Sequence, residues 1–379
     1  MRIFIQKYYR CCLPTYFLII LFLVFGMQTA AAQKKSSKKE KHFEAEIKFG
    51  SMYDDNILKY SGKYIDRFIN RQDSGRFHIK TYDDIVFITA ADLSATYRIF
   101  KDLKTRINGS IYSNMYATNG VKNWYYFTLG LTQNVTKKAS FRVSYSHIPR
   151  FYVRHFRDAD RVEIYGYTPE TFVPFSFAKD NYGFWFQNTF LKSTRVRLSF
   201  DLARYFHNKH YTEYDCNSYI FGISVSQPLH KKVKIEAAYE FEHSDAKGYD
   251  EPGETRETAD DADATYNEYA FALGLNWELP KIRKKTHEID LNATYQNRVY
   301  FSEHFLEEDP EHTGRVDDVV LVTANYNLQV SKSFTLGAFY KFFMRNSNSS
   351  SEINSEYLSE EKDYRQDQVG LQVVYNLKF

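Results

Sequence analysis

The closing stretch YRQDQVGLQVVYNLKF, Tyr364 to Phe379, decides the fold. Taken two residues at a time, Val369, Leu371, Val373, Tyr375, Leu377 and Phe379 point one way. Gly370, Gln372, Asn376 and Lys378 point the other, and only Val374 is out of step. One face is therefore apolar to the last residue. A water-facing sheet gives such an end no reason to stay in place, and exposed strand termini fray. A bilayer does, because the terminal ring sits at the headgroup boundary while its carboxylate stays wet. The expectation is a strand that faces lipid on one side.

The rest of the composition agrees. The 379 residues include 32 Tyr and 32 Phe, too many for an ordinary soluble domain, while a mean hydropathy of −0.53 excludes a bundle of membrane helices. A barrel that shows aromatics to lipid and polar side chains to its lumen reconciles the two facts. A soluble β-sandwich also alternates, but it accounts for neither the terminal Phe379 nor the aromatic ends of so many strands.

At the start of the chain, Arg2, Lys7 and Arg10 precede an apolar run from Leu13 to Met27 and the small residues Ala30, Ala31 and Ala32. This pattern predicts a secretory signal over 1–32, cleaved before Gln33. The stretch QKKSSKKEKH over 33–42 is expected to be a basic periplasmic tail, and 43–379 the barrel. Removing the three basic residues of the signal leaves 47 Lys plus Arg against 47 Asp plus Glu, so the exported chain is formally neutral and no nucleic-acid partner is implied. Cys11 and Cys12 leave with the signal. Cys216 is then alone, which rules out an intramolecular disulfide and leaves ring closure as the source of stability.

The last strand resembles the C-terminal signature strand of bacterial outer-membrane β-barrels, which ends on Phe with apolar residues at alternate positions before it. The resemblance implies that Tyr375, Leu377 and Phe379 are read by the barrel assembly machinery and that this strand closes against the first. Fourteen alternating segments follow from the pattern, within two of the true count, each long enough for the roughly 9 to 11 residues of a tilted membrane strand. Six short turns alternate with seven mostly longer loops, and an even count puts both termini in the periplasm. The chain is similar in this to monomeric fourteen-stranded porins. Long-chain fatty acid transporters share the strand number but carry an N-terminal plug with no counterpart read here.

Inward positions carry the candidate site. Arg142, Arg150, Arg154, Arg195 and Arg197 fall on the fifth and seventh strands, and Lys234, Glu236, Glu240, Glu242, Glu288 and Asp290 on the ninth and eleventh. Opposite signs are thus expected on opposite walls, either setting an ion preference or pairing across strands. The connection from His155 to Asp180, with Pro169 and Pro174, is read as a long loop that either folds inward as a constriction or stays on the surface.

Acidic runs at Asp54, Asp55 and Asn56 and over 250–264 match no calcium-loop spacing, so no metal or cofactor is expected. The segment YDDNI, Tyr53 to Ile57, is similar to one near the first strand of several barrel families, including export barrels for surface lipoproteins. Catalysis is not expected either. His147 follows Ser146 but faces the other side of the strand, and His243, Ser244, Asp245, His207 and His210 read as rim residues. The expectation is an outer-membrane channel for small polar solutes, in contact with lipid and lipopolysaccharide. The alternatives are a surface-binding, adhesin-like barrel acting through its loops and, behind it, a barrel hydrolase.

Overall fold

The computed structural model describes residues 43–378 except 74, 101, 102, 192 and 260. The signal segment, the basic tail and the terminal Phe379 lie outside the described residues. Fourteen strands follow in order: β1 (Phe43–Asp54), β2 (Asp84–Phe100), β3 (Leu103–Tyr116), β4 (Trp124–Asn134), β5 (Ala139–Arg157), β6 (Phe172–Phe190) and β7 (Thr194–His207). They continue as β8 (Cys216–His230), β9 (Val233–Ala246), β10 (Tyr266–Glu278), β11 (Thr286–Tyr300), β12 (Arg315–Gln329), β13 (Phe334–Ser349) and β14 (Tyr364–Lys378). Each pairs antiparallel with the next, and β14 returns to β1, so the sheet closes and no edge strand remains.

Register fixes the faces. Across the closing seam Ile47 lies opposite Tyr375, Ser51 opposite Leu371 and Tyr53 opposite Val369, while Met52 meets Gly370 and Asp54 meets Gln368. The first set points outward and the second inward. Large apolar side chains of the outward set are left bare, Leu371 at 67% and Leu273 at 69% exposure. A continuous bare apolar exterior around a polar interior is stable only in lipid. The fold is that of a bacterial outer-membrane β-barrel.

One end of the ring carries tight turns, such as 135–138 and 231–232. The other carries seven connections, over 55–83, 117–123, 158–171, 208–215, 247–265, 301–314 and 350–363. Three of these hold a helix: α1 (Gly62–Ile69), α2 (Ala159–Tyr165) and α3 (Glu352–Lys362).

The outer surface is marked near that end by repeated Tyr–Asp pairs between neighbouring elements. Tyr53 donates to Asp83 (2.8 Å), Tyr145 to Asp180 (2.7 Å) and Tyr295 to Asp318 (2.5 Å), and Tyr340 donates to Asp367. Phenols with one apolar flank and one wet end suit the headgroup level, so these pairs mark where the lipid-facing band stops. The fifth and sixth strands do not stop there. They run on to Arg157 and back from Phe172, so nearly half of the expected long loop from His155 to Asp180 is a protruding hairpin, and the connection itself is 158–171. Its pairing beyond the lipid is sustained by aromatic packing, Phe151 on Phe177 and Phe156 on Phe175, rather than by the bilayer.

Candidate functional site: a charged lumen under an interlocked mouth

The inner rows place eight of the ten predicted lining residues in the lumen wall by register. Arg142 lies opposite Thr132 and Trp185, Arg195 opposite Thr189 and Ser226, and Arg197 opposite Gln187 and Ser224. Glu236, Glu240 and Glu242 share the inner row of β9 with Lys234, and Glu288 and Asp290 lie on β11, where Asn276 donates to both. Lys234 stands 3.7 Å from Glu236.

Two residues depart from expectation. A bulge lets β5 take three steps, Ile148 to Phe151, while β6 takes two, Lys179 to Phe177. Parity flips there. Phe151 turns inward against Trp124, and its neighbour Arg150 leaves the inner row and is exposed. A second shift at Tyr152 and Arg154 brings Arg154 back inside, but its guanidinium is buried rather than lining a water path.

The ring order sets how the charged strands face one another. In the fourteen-strand ring β7 lies two strands from β9 while β5 lies six from β11, so the two signs adjoin at their near edges and face each other only at their far ones. Sequence reading missed two members of this pattern. Arg106 on β3 joins the basic sector within reach of Arg142 and bonds Ser94, while Asp201 on β7 joins the acidic one and takes a hydrogen bond from Asn181 at 2.9 Å. Both fall on inward parity, which is the signal that finds them. Gly222 and Gly183 make the room: a Cβ at Gly222 would lie 3.4 Å from Glu240 Cγ, and one at Gly183 2.7 Å from an Asp201 oxygen.

Above the lumen the seven connections lock together. Asn56 donates to the carbonyls of Tyr60 (2.8 Å) and Arg365 (2.9 Å), pinning the first connection to β14. Ile57, Leu58, Tyr60 and Tyr64 of that connection pack on Tyr152. Arg154 donates to the carbonyls of Leu58 (2.8 Å) and Lys59 (3.2 Å) and lies over the Tyr60 ring. His78 stacks on His155 with ring centroids 3.7 Å apart. From α1, Lys63 pairs with Glu360 (2.9 Å) and Glu361 (2.7 Å) of α3. On the far side Lys362 bonds Glu311 and stands over the Phe156 ring. Burial works to raise the Glu311 carboxyl, but Lys362, with His312 and Arg315, outweighs it and holds the group at about 2. Tyr214 is enclosed by Phe175, Tyr211 and His312, and burial pushes its phenol far up.

The acidic run at Asp54 to Asn56 is occupied by amide donors. Gln366 reaches both Asp54 oxygens (2.8 and 2.9 Å), Gln368 reaches one (2.7 Å), and Asp55 accepts from the Asp367 N–H. In the 247–265 connection, Asp250 and Asp261 converge with Glu213 of another connection within 4.8 Å, an arrangement that acidic surface groups also adopt without an ion. The histidines considered for catalysis point elsewhere. His147 bonds Asp180 on the outer face while Ser146 bonds Thr128 inside, and His243 bonds Asn267 while Ser244 bonds Ser218. His207 lies by Asp215 and His210 by Asp158. Cys216 opens β8, opposite Tyr205 and Ala246.

Neither a protein-family model nor a curated protein matches the sequence. Among solved structures the chain is similar to the outer membrane channel DcaP of Acinetobacter baumannii, at 10% identity over 91% of this chain and 100% of that one, with a TM-score of 0.44. It is similar to an anion-selective porin from Comamonas acidovorans at 8% identity, covering 89% and 99% of the two chains with a TM-score of 0.41. A Pseudomonas aeruginosa FadL homologue gives 10% identity, 88% and 90% coverage and a TM-score of 0.45.

Proposed function

We propose that this chain is a porin-like outer-membrane channel that passes small polar solutes with weak selectivity. One observation carries the reading: the charged inner row is solvated. Side chains of Lys234 and Glu236 are 44% and 43% exposed, and those of Arg106 and Glu44 48% and 40%. On an inward face such exposure means water-filled space. In this reading Arg106, Arg142, Arg195 and Arg197 favour anions along one sector, and Glu236, Glu240, Glu242, Glu288 and Asp290 favour cations along the next. The turn end faces the periplasm, and Tyr375, Leu377 and Phe379 guide assembly.

The test is single-channel conductance and reversal potential of the refolded mature chain in a planar bilayer, beside the Arg142→Glu/Arg197→Glu double variant. A steady conductance whose preference moves toward cations in the variant supports the channel. Absence of conductance in folded, heat-modifiable protein overturns it. That outcome would move the function to the second reading, a binding surface built from the connections, which the interlocked mouth favours.

A further inference from the structure

Three arginines converge on a cleft of about 430 Å³ between the 55–83 and 158–171 connections. Arg67 comes from α1, Arg76 from the chain after it and Arg157 from the tip of β5. Asp73 is the one carboxylate lining it among the described residues, 3.4 Å from Arg67 and 3.2 Å from Arg76, so the cleft keeps an excess of two positive charges.

The arginines are held in distinct ways. Arg76, 8% exposed, is clamped between the Tyr64 ring (4.3 Å) and the Phe172 ring (5.2 Å) and serves as a fixed wall. Arg157 is exposed and lies over the ring of Tyr167 at 4.7 Å. A guanidinium stacked on an aromatic keeps its N–H edge available for a two-point grip on carboxylate or phosphate. Tyr167 is itself 79% exposed, which leaves a flat apolar surface beside the charge. The wall closes only because residue 75 is glycine: a Cβ there would sit 2.6 Å from Pro169 Cα and 2.7 Å from its carbonyl oxygen. The volume lies within the range of small-molecule sites, roughly 300 to 1,000 Å³.

We infer that this cleft binds a soluble, sugar-sized organic anion, its carboxylate or phosphate gripped by Arg157 and Arg67 and its body lying against Tyr167. Lipid headgroups offer the same phosphate chemistry, but the cleft lies about ten residues along β5 beyond the Tyr145–Asp180 pair, on the order of 30 Å of strand. That distance favours a dissolved ligand. The inference does not rest on the pore: the lumen variant Arg142→Glu leaves this binding unchanged.

The test is saturation-transfer NMR on the full mature chain in lipid nanodiscs free of lipopolysaccharide, with D-glucuronate, D-glucose 6-phosphate and neutral D-glucose as probes. Both anions are expected to receive saturation and glucose not. Arg157→Gln, and separately Arg67→Gln, should weaken glucuronate by about tenfold or more, the scale of one charge-assisted hydrogen bond. Asp73→Asn should tighten it severalfold. Equal transfer to glucose, no transfer to either anion, or unchanged affinity in both arginine variants would overturn the inference. Displacement of glucuronate by added lipopolysaccharide would assign the cleft to a lipid phosphate and overturn the soluble ligand.

Discussion

Lys122 directs its Nζ at the main-chain carbonyl of Tyr152, 3.0 Å away, so the short 117–123 connection is bolted to the protruding wall of β5 by a buried amine. Burial first, then the nearby cations Arg154 and Lys59, bring this lysine from its usual 10.5 down to about 7, with Asp54 pulling weakly the other way. The loosened connection therefore binds more protons than the packed one between about pH 7 and 10.5, and packing strengthens as pH rises through that window. Amide exchange over 117–123, corrected for its intrinsic pH dependence, should be slower at pH 9.5 than at pH 7. Lys122→Met should remove the difference. Equal protection at both values in the wild type would refute a charge penalty at this site.

Arg154 is the clamp on the first connection. Removing it strands the carbonyls of Leu58 and Lys59 and opens a gap beneath the Tyr60 ring. Hydrogen bonds from a charged donor are worth roughly 1.5 to 3 kcal/mol each, so with two of them lost local opening of the 57–64 segment should become easier by about 3 to 6 kcal/mol. In Arg154→Ala, proteolysis within 57–64 should accelerate while the heat-modifiable barrel band stays intact. Resistance equal to wild type would mean that the apolar packing on Tyr152 alone holds the segment.

How far these features can be read in the sequence depends on which solvent each strand meets. Lipid imposes a period of two, so the bilayer-facing rows are legible: the seam face from Val369 to Leu377 is apparent from the residues alone. The sixth strand shows the limit. Its alternation becomes readable at Asn181, one residue past Asp180, where the Tyr145–Asp180 pair marks the lipid boundary. From Phe172 to Asp180 the strand is paired by aromatic packing above the lipid and carries Pro174, so the pattern fades although the strand continues. Arg150 is misread because a bulge inserts one residue without a compositional trace beyond Pro149. The relative placement of the charged sectors needs the ring order, and the mouth needs contacts such as Lys63 to Glu361, between residues 298 apart. Neither is local.

Asp54 joins the first connection to the closing seam. Its carboxylate, 1% exposed, accepts from Gln366, Gln368 and the N–H of Asn56, so the last turn of β1 and the start of β14 share one acceptor. In Asp54→Ala the Gln368 amide and the Asn56 N–H lose their partner inside a buried site, while Gln366 keeps the Asn56 carbonyl, a cost of roughly 1 to 3 kcal/mol for each group left unmet. The predicted outcome is a lower urea midpoint for loss of the folded band on unheated gels. Asp54→Asn, which keeps one acceptor oxygen, should fall between the two. A midpoint equal to wild type in the alanine variant would show that water replaces the carboxylate without loss.

Gly370 sits on the inner face of the same seam, beneath the ring of Phe339. A Cβ at this position would lie 2.4 Å from Phe339 Cζ and 2.6 Å from the main-chain oxygen of Ser51 on β1. The ring can swing away, but the backbone oxygen belongs to the β1–β14 pairing and cannot move without opening it. Phe339 also covers Met52, Val86 and Ile88, so displacing it uncovers an apolar cluster on the lumen wall. Overpacking of this kind costs typically about 1 to 3 kcal/mol, and here the strain falls on the strand pair that closes the ring. Gly370→Val should therefore slow refolding from urea into detergent and lower the yield of heat-modifiable barrel. Pairing it with Phe339→Ala should recover part of the loss, because the ring contact is then gone while the Ser51 contact remains. Complete recovery in the double variant would put the whole conflict in the ring, and no loss in the single variant would refute the seam argument.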